Sequence, residues 1–330
     1  MANGFGVICI ILFWSGEAIM KFSRRQFLNV SGGAVVASCL GTPPSLVGQD
    51  TQQQVAKPLD SQLGITTSSL TYQLSPRAKE NQLTLLELPR IMRDELGMTV
   101  IDLNTSTLAS TDPKYLDQVR AAADKAGCVL TNLKMNQPKL DMNSPDTAVR
   151  NKALDTYKAS IDAASHLGLK WARPLPLVPK PDMKIHVASY RELCEYGAER
   201  NVQLLVENYG WMQSDPASLV KLVDLIGENV AACPDTGNWN NDKIRYAGLK
   251  QTFPIAVTCD FKARNLGPRG EHPRYDLKRC FEIGWNSGFR GPWCFEHANQ
   301  DRKVLFKELL LLREMLQTWM KGAAKQSSGS

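Results

Sequence analysis

The sequence predicts an α/β protein built on a closed parallel (β/α)8 barrel, and three observations carry that reading. From residue 61 onward eight short strand-like apolar runs alternate with eight segments of helical periodicity. Helical segments end in Leu96-Gly97, Leu167-Gly168 and Ile226-Gly227, each followed within a few residues by another apolar run. That is the pattern left when a glycine cap turns the chain back into a parallel sheet. No glycine-rich phosphate loop follows the first run, whose residues include Thr66, Thr67, Ser68 and Ser69, so the signature of a doubly wound open sheet is missing.

In order, the strand-like runs are 64–70, 99–104, 128–135, 170–176, 202–208, 230–235, 255–262 and 291–297. Between them, residues 80–97, 151–168, 188–201, 216–227 and 272–288 are rich in helix formers, and 301–322 supplies the last helix. Ser214-Asp215-Pro216 reads as a helix start, with Pro216 near the first turn, where its missing N–H costs little. No linker interrupts this stretch, so residues 61–325 are expected to form one domain, preceded by a leader over 1–40 and a Pro-, Gln-, Ser- and Thr-containing tether over 41–60.

Composition narrows the function. The chain is 43% hydrophobic and 22% charged, with a formal charge of +6, and Lys21, Arg24 and Arg25 set against Glu17 place a net two of those charges in the leader. The rest is dispersed, without the basic block of a nucleic-acid footprint, so no nucleic-acid partner is expected. Cys128, Cys194, Cys233, Cys259, Cys280 and Cys294 are scattered without short spacings and read as small core hydrophobes, not a disulfide framework.

The leader has its own signals. An apolar run at 5–16 is too short to span a bilayer comfortably and precedes Met20, an alternative start. Arg24-Arg25 followed by Phe27-Leu28 resembles a twin-arginine export signal, the alternative being a cytoplasmic amphipathic helix interrupted by Gly32-Gly33. Val36-Ala37-Ser38-Cys39 resembles the box preceding the lipidated cysteine of bacterial lipoproteins. Used as such, it makes Cys39 a membrane anchor; unused, it leaves cleavage to a soluble periplasmic form.

In a barrel, chemistry gathers at the C-terminal ends of the strands. Glu207, Asp235, Asp260 and Glu296 fall near the ends of the fifth to eighth runs. Carboxylates pointing together repel and are costly to bury, a conflict that a divalent cation resolves. An all-oxygen set suits Mg²⁺ or Mn²⁺ better than Zn²⁺. Each acid has a plainer alternative: Asp235 caps the turn Asp-Thr-Gly-Asn, Asp260 pairs with Lys262 or Arg264, Glu296 pairs with His297 or a barrel arginine, and Glu207 lies on the surface.

VENYG at 206–210, PDTGN at 234–238, VTCDFK at 257–262 and CFEH at 294–297 together resemble the xylose-isomerase-like TIM barrel superfamily, the sugar phosphate isomerase/epimerase group, over residues 61–320. The resemblance implies a metal quartet of Glu207, Asp235, Asp260 and Glu296, with Glu207 and Glu296 also acting as the catalytic acid/base pair on a keto-sugar. Asp260 stands where the family has histidine, and Tyr209 and Asn238 replace two further imidazoles. Lys134, Arg173, Lys262 and Arg264 read as substrate holders or as charge balance for the acids; Tyr209, Trp211, Asn238, Trp239 and His297 are read as lining the mouth, with packing the alternative for the tryptophans.

The expected function is therefore metal-assisted isomerisation or epimerisation by proton abstraction beside a carbonyl. A dehydratase or keto-glycoside lyase on the same site is the alternative, as is a non-catalytic periplasmic carbohydrate-binding barrel. Export favours an unphosphorylated carbohydrate partner. A homo-oligomer is compatible with the sequence. Acids free to bind metal favour the enzyme, whereas a site blocked around Asp260 and Lys262 favours the binder.

Overall fold

The computed structural model describes residues 59–78, 82–137, 139–176 and 179–328. The leader signals, Cys39 and all but the last two residues of the expected tether lie outside the described residues.

Eight parallel strands form the sheet: β1 Leu63–Thr66, β2 Val100–Asn104, β3 Val129–Met135, β4 Trp171–Pro174, β5 Gln203–Val206, β6 Val230–Ala232, β7 Cys259–Lys262 and β8 Trp293–Glu296. Their order is β6-β5-β4-β3-β2-β1-β8-β7. The outer edges meet through bridges pairing Ala232 with Ala256 and Asp235 with Asp260, so the curled sheet closes on itself. Helices α1 Leu88–Asp94, α2 Pro113–Ala126, α3 Thr147–His166, α4 Met183–Ala198, α5 Ser218–Ile226, α6 Asp242–Thr252, α7 Leu277–Asn286 and α8 Arg302–Ser328 follow the strands in turn.

The expected glycine returns are present: Gly97 and Gly168 sit at φ +62° and +71°, in the left-handed region where a side chain is strained. Strands are shorter than the apolar runs suggested. Thr67–Leu70 winds into a 3-10 turn, where Ser69 Oγ donates to Phe295 O and accepts from His297 N. Phe253–Ile255 does the same before β7, with Pro254 in its first turn. Pro234 has no N–H to give a ladder, and Asp235 consequently lies in the loop past β6. Ser214 closes a 3-10 helix, Gly210–Ser214, and Asp215 accepts from Ala217 N, so the fifth helix begins only at Ser218.

Alternation along the strands divides the core in two. Residues of one parity pack under the helices: Trp293 lies among Phe253, Phe261, Phe281 and Phe289. In α8, fully buried Leu305, Leu309, Leu312 and Leu316 follow the helical period, each such side chain contributing roughly 1.5–3 kcal/mol. The other parity faces inward, where Trp171, Leu205, Ala231 and Cys233 form a separate small apolar cluster. Two residues further along the chain from Trp171, Leu205 and Cys233 stand Arg173, Glu207 and Asp235, the last two just past the ends of β5 and β6. The apolar cluster is thus a floor beneath a charged layer. All six cysteines of the barrel are buried, as expected of core hydrophobes.

Candidate active site

The charged layer is assembled from seven strands, β2 to β8, and the turns after them. Asp102 of β2 is fully buried and accepts from Thr131 Oγ1. Lys134, near the end of β3, forms a buried ion pair with Asp260 of β7. Arg173 of β4 approaches Glu207, just past β5, at 3.0 Å and also donates to Asn136 Oδ1 at 2.9 Å.

Asp235 owes its position to the turn that follows β6. Its Oδ1 accepts from the N–H groups of Gly237 and Asn238 at 2.6 and 3.0 Å, and its own N–H donates to Asn208 Oδ1 at 2.8 Å. The turn-capping alternative for Asp235 is thus realised, and it uses only one carboxylate oxygen. Its second oxygen receives Lys262 Nζ at 2.9 Å. That ammonium also meets Glu296 Oε1 at 3.1 Å and donates to Asn238 Oδ1 at 2.8 Å. Asn238 in turn donates its Nδ2 to Glu207 Oε1 at 2.7 Å.

The layer has depth. Lys134, Arg173, Glu207, Asp235 and Asp260 are buried, while Lys262 and Glu296 reach the mouth and Arg264 stands at the rim, 2.8 Å from Glu296. Burial drives the carboxyl groups upward: Asp235 and Asp260 are both pushed to about 6 despite Lys262 and Lys134, and Glu207 is raised despite Arg173. At Glu296 burial acts in the same direction but is outweighed by Lys262, Lys134 and Arg264, which hold the group down at about 2. Both lysines stay firmly charged, because their carboxylate neighbours outweigh the cost of burial.

The ion-pair alternatives resolve in specific ways. Asp260 pairs with Lys134, not with Lys262 or Arg264; Glu296 pairs with Lys262 and Arg264, not with His297. His297 is placed away from the mouth: Nδ1 faces Ala263 O at 2.6 Å and Nε2 faces Glu308 Oε2 of α8 at 2.7 Å, so both ring nitrogens are occupied. Trp239 is buried against Gly248 of α6, where its ring serves packing. Tyr209 and Trp211 are half-buried, the latter edge-on to His186 at 6.3 Å between ring centres. Asp102, Asn136 and Asn208 were not singled out from sequence. Asp102 carries the one available signal, an acid within the apolar run 99–104.

One oxygen each from Glu207, Asp235 and Asp260 lies within 4.8 Å of the others, the grouping that a cation needs, and Glu296 is outside it. Asp260 Oδ2 is buried without a hydrogen bond. Yet each of the three already faces a cationic nitrogen of Lys134, Arg173 or Lys262. Three of the four acids expected as a metal quartet are gathered, without Glu296, and in this arrangement Mg²⁺ or Mn²⁺ does not fit beside the lysines: two further positive charges exceed what a buried, nearly matched layer can neutralise.

Comparison with known proteins agrees with this architecture. No match emerges among curated proteins by sequence. Among solved structures, D-psicose 3-epimerase with D-tagatose from Clostridium cellulolyticum H10 superposes with a TM-score of 0.63 at 15% identity, covering 78% of this chain and 98% of its own. An L-ribulose 3-epimerase gives 0.66 at 14%, with 81% and 97% covered. A xylose isomerase-like TIM barrel protein from Mycobacterium smegmatis, in complex with magnesium, gives 0.57 at 16%, with 80% and 97% covered. These likenesses establish the fold. Residues 94–321, well over half of the chain, match the model of a protein family, and the chain belongs to the xylose isomerase-like TIM barrel family.

Proposed function

We propose that this barrel is a carbohydrate isomerase or epimerase that moves a proton at the carbon beside a carbonyl, using Glu207 and Glu296 as proton carriers. One observation carries the reading: the two glutamates flank a single Lys262–Asn238 link, and their environments push them in opposite directions, Glu207 up and Glu296 down to about 2. Carboxyl groups so separated are suited to different halves of an acid/base cycle. The names of the structural neighbours, sugar 3-epimerases, support a carbohydrate as the substrate.

In the resting site Lys262 makes Glu296 a weak base. A substrate carbonyl oxygen that draws the ammonium toward itself removes that restraint, so Glu296 gains basicity as the substrate becomes polarised. Glu296 takes the proton from carbon, the electron pair moves into the carbonyl, and the enediolate oxygen is stabilised by Lys262. Glu207, ionised at rest with its proton affinity raised by burial, takes a proton from solvent and returns it to carbon. Exchange with solvent then restores both groups.

A second reading, a non-catalytic carbohydrate-binding barrel, is favoured by the fact that all four acids are already paired. Incubation of unphosphorylated keto-sugars and 3-keto-glycosides in deuterium oxide, followed by NMR, separates the two. The isomerase reading expects deuterium beside the carbonyl, with Glu207→Gln and Glu296→Gln each losing about 10²-fold or more and Arg173→Lys losing less. Calorimetric sugar binding without exchange in any of them would establish the binder.

The leader motifs support a further proposal, export through a twin-arginine route to the periplasm with Cys39 as a lipid anchor. Changing Arg24 and Arg25 to lysine should strand precursor in the cytoplasm, and Cys39→Ser should release the protein from membranes. Unaltered export or unaltered membrane retention would remove the corresponding half.

A further inference from the structure

Resting on the isomerase reading, we infer that the Lys262 ammonium occupies the electrostatic place of a divalent ion, and that this barrel works without one. The side chain is seated for that task. Its Nζ meets three oxygens, Asp235 Oδ2 at 2.9 Å, Asn238 Oδ1 at 2.8 Å and Glu296 Oε1 at 3.1 Å, which uses every proton an ammonium has. Two of those oxygens belong to acids read from sequence as metal ligands.

The route of the side chain is also built in. A Cβ at Gly237 would stand 2.5 Å from Lys262 Cδ, so the turn after β6 leaves room for the lysine stem only because it carries glycine there. The Lys262 backbone is held from two sides: its N–H donates to Thr236 Oγ1 at 2.9 Å, and Tyr275 Oη donates to its carbonyl at 2.7 Å.

Charge counting gives the same result. Glu207, Asp235, Asp260 and Glu296 face Lys134, Arg173, Lys262 and Arg264, four charges of each sign. With Asp102 counted as ionised, the layer lacks one positive charge, not two. A divalent ion therefore needs a lysine to leave, whereas an ammonium already in place needs nothing to move but the neutral Asn238 amide. The amide oxygen is the partner that a substrate carbonyl replaces, and the two acids stay bound to the lysine until the oxygen arrives.

The test is a metal titration of the full mature protein after dialysis against a chelator, with free Mn²⁺ followed by electron paramagnetic resonance and thermal unfolding measured in parallel. The wild type should take up no Mn²⁺, and its unfolding midpoint should not move with millimolar Mn²⁺ or Mg²⁺. Lys262→Gln, similar in reach but uncharged, should melt lower, bind Mn²⁺ and recover part of the lost midpoint when the ion is added. Stoichiometric Mn²⁺ on the wild type would overturn the inference, as would a folded Lys262→Gln variant with no gain in Mn²⁺ affinity. Neither readout needs turnover, so failure of the exchange assay would sink the isomerase reading and leave this one to be judged by the ion alone.

Discussion

Lys134 on β3 and Asp260 on β7, 126 residues apart in sequence, form a buried ion pair across the barrel. Removing one partner leaves an uncompensated buried charge. Lys134→Met should therefore cost about 3–5 kcal/mol, while adding Asp260→Asn should recover much of it. Urea unfolding of the wild type, both single variants and the double variant gives the coupling between them, and additive losses would show that the two charges act independently.

Stability should fall with rising pH in a window set by the buried acids. Asp235 and Asp260 titrate from 3.8 in the unfolded chain to about 6 in the folded one. The folded state therefore holds more protons between these values, and the stability those protons bring is full below 3.8 and lost as pH passes 6. Glu296, lowered from 4.5 to about 2, acts in the opposite sense, its contribution being present above 4.5 and lost toward pH 2. Unfolding free energy measured at intervals from pH 4 to 6 should decline, and Asp260→Asn should flatten the decline. An equal slope in the variant would place the titration elsewhere.

His297 should matter to stability and not to substrate handling. It joins the end of β8 to Ala263 O and to Glu308 of α8, so His297→Ala should cost about 1–3 kcal/mol through the groups left unpaired. Deuterium exchange per folded molecule, and its dependence on sugar concentration, should stay near wild type. A raised KM with unchanged unfolding would return His297 to the mouth.

The barrel was legible because its signals are local. Gly97 and Gly168 mark helix ends within a few residues of the next strand, and each apolar run needs only its neighbours to be recognised. Strand limits were less so: Pro234 and Pro254 end or delay pairing through a missing donor, and apolar content does not register that. The acids were legible for the same local reason, as charges in otherwise apolar runs. Their partners were not, since Lys134 meets Asp260 only through the register of strands on opposite sides of a closed sheet. For His297 a usable signal existed: next to inward-facing Glu296, strand alternation points it toward the helices.

The apolar floor of Trp171, Leu205, Ala231 and Cys233, with the matched charges above it, also governs how a ligand arrives. Opposite charges a few ångströms apart cancel beyond a Debye length, so little field extends from the mouth to draw an ion in from solution. Encounter with a neutral sugar needs no such steering, and its association rate should be nearly indifferent to added salt.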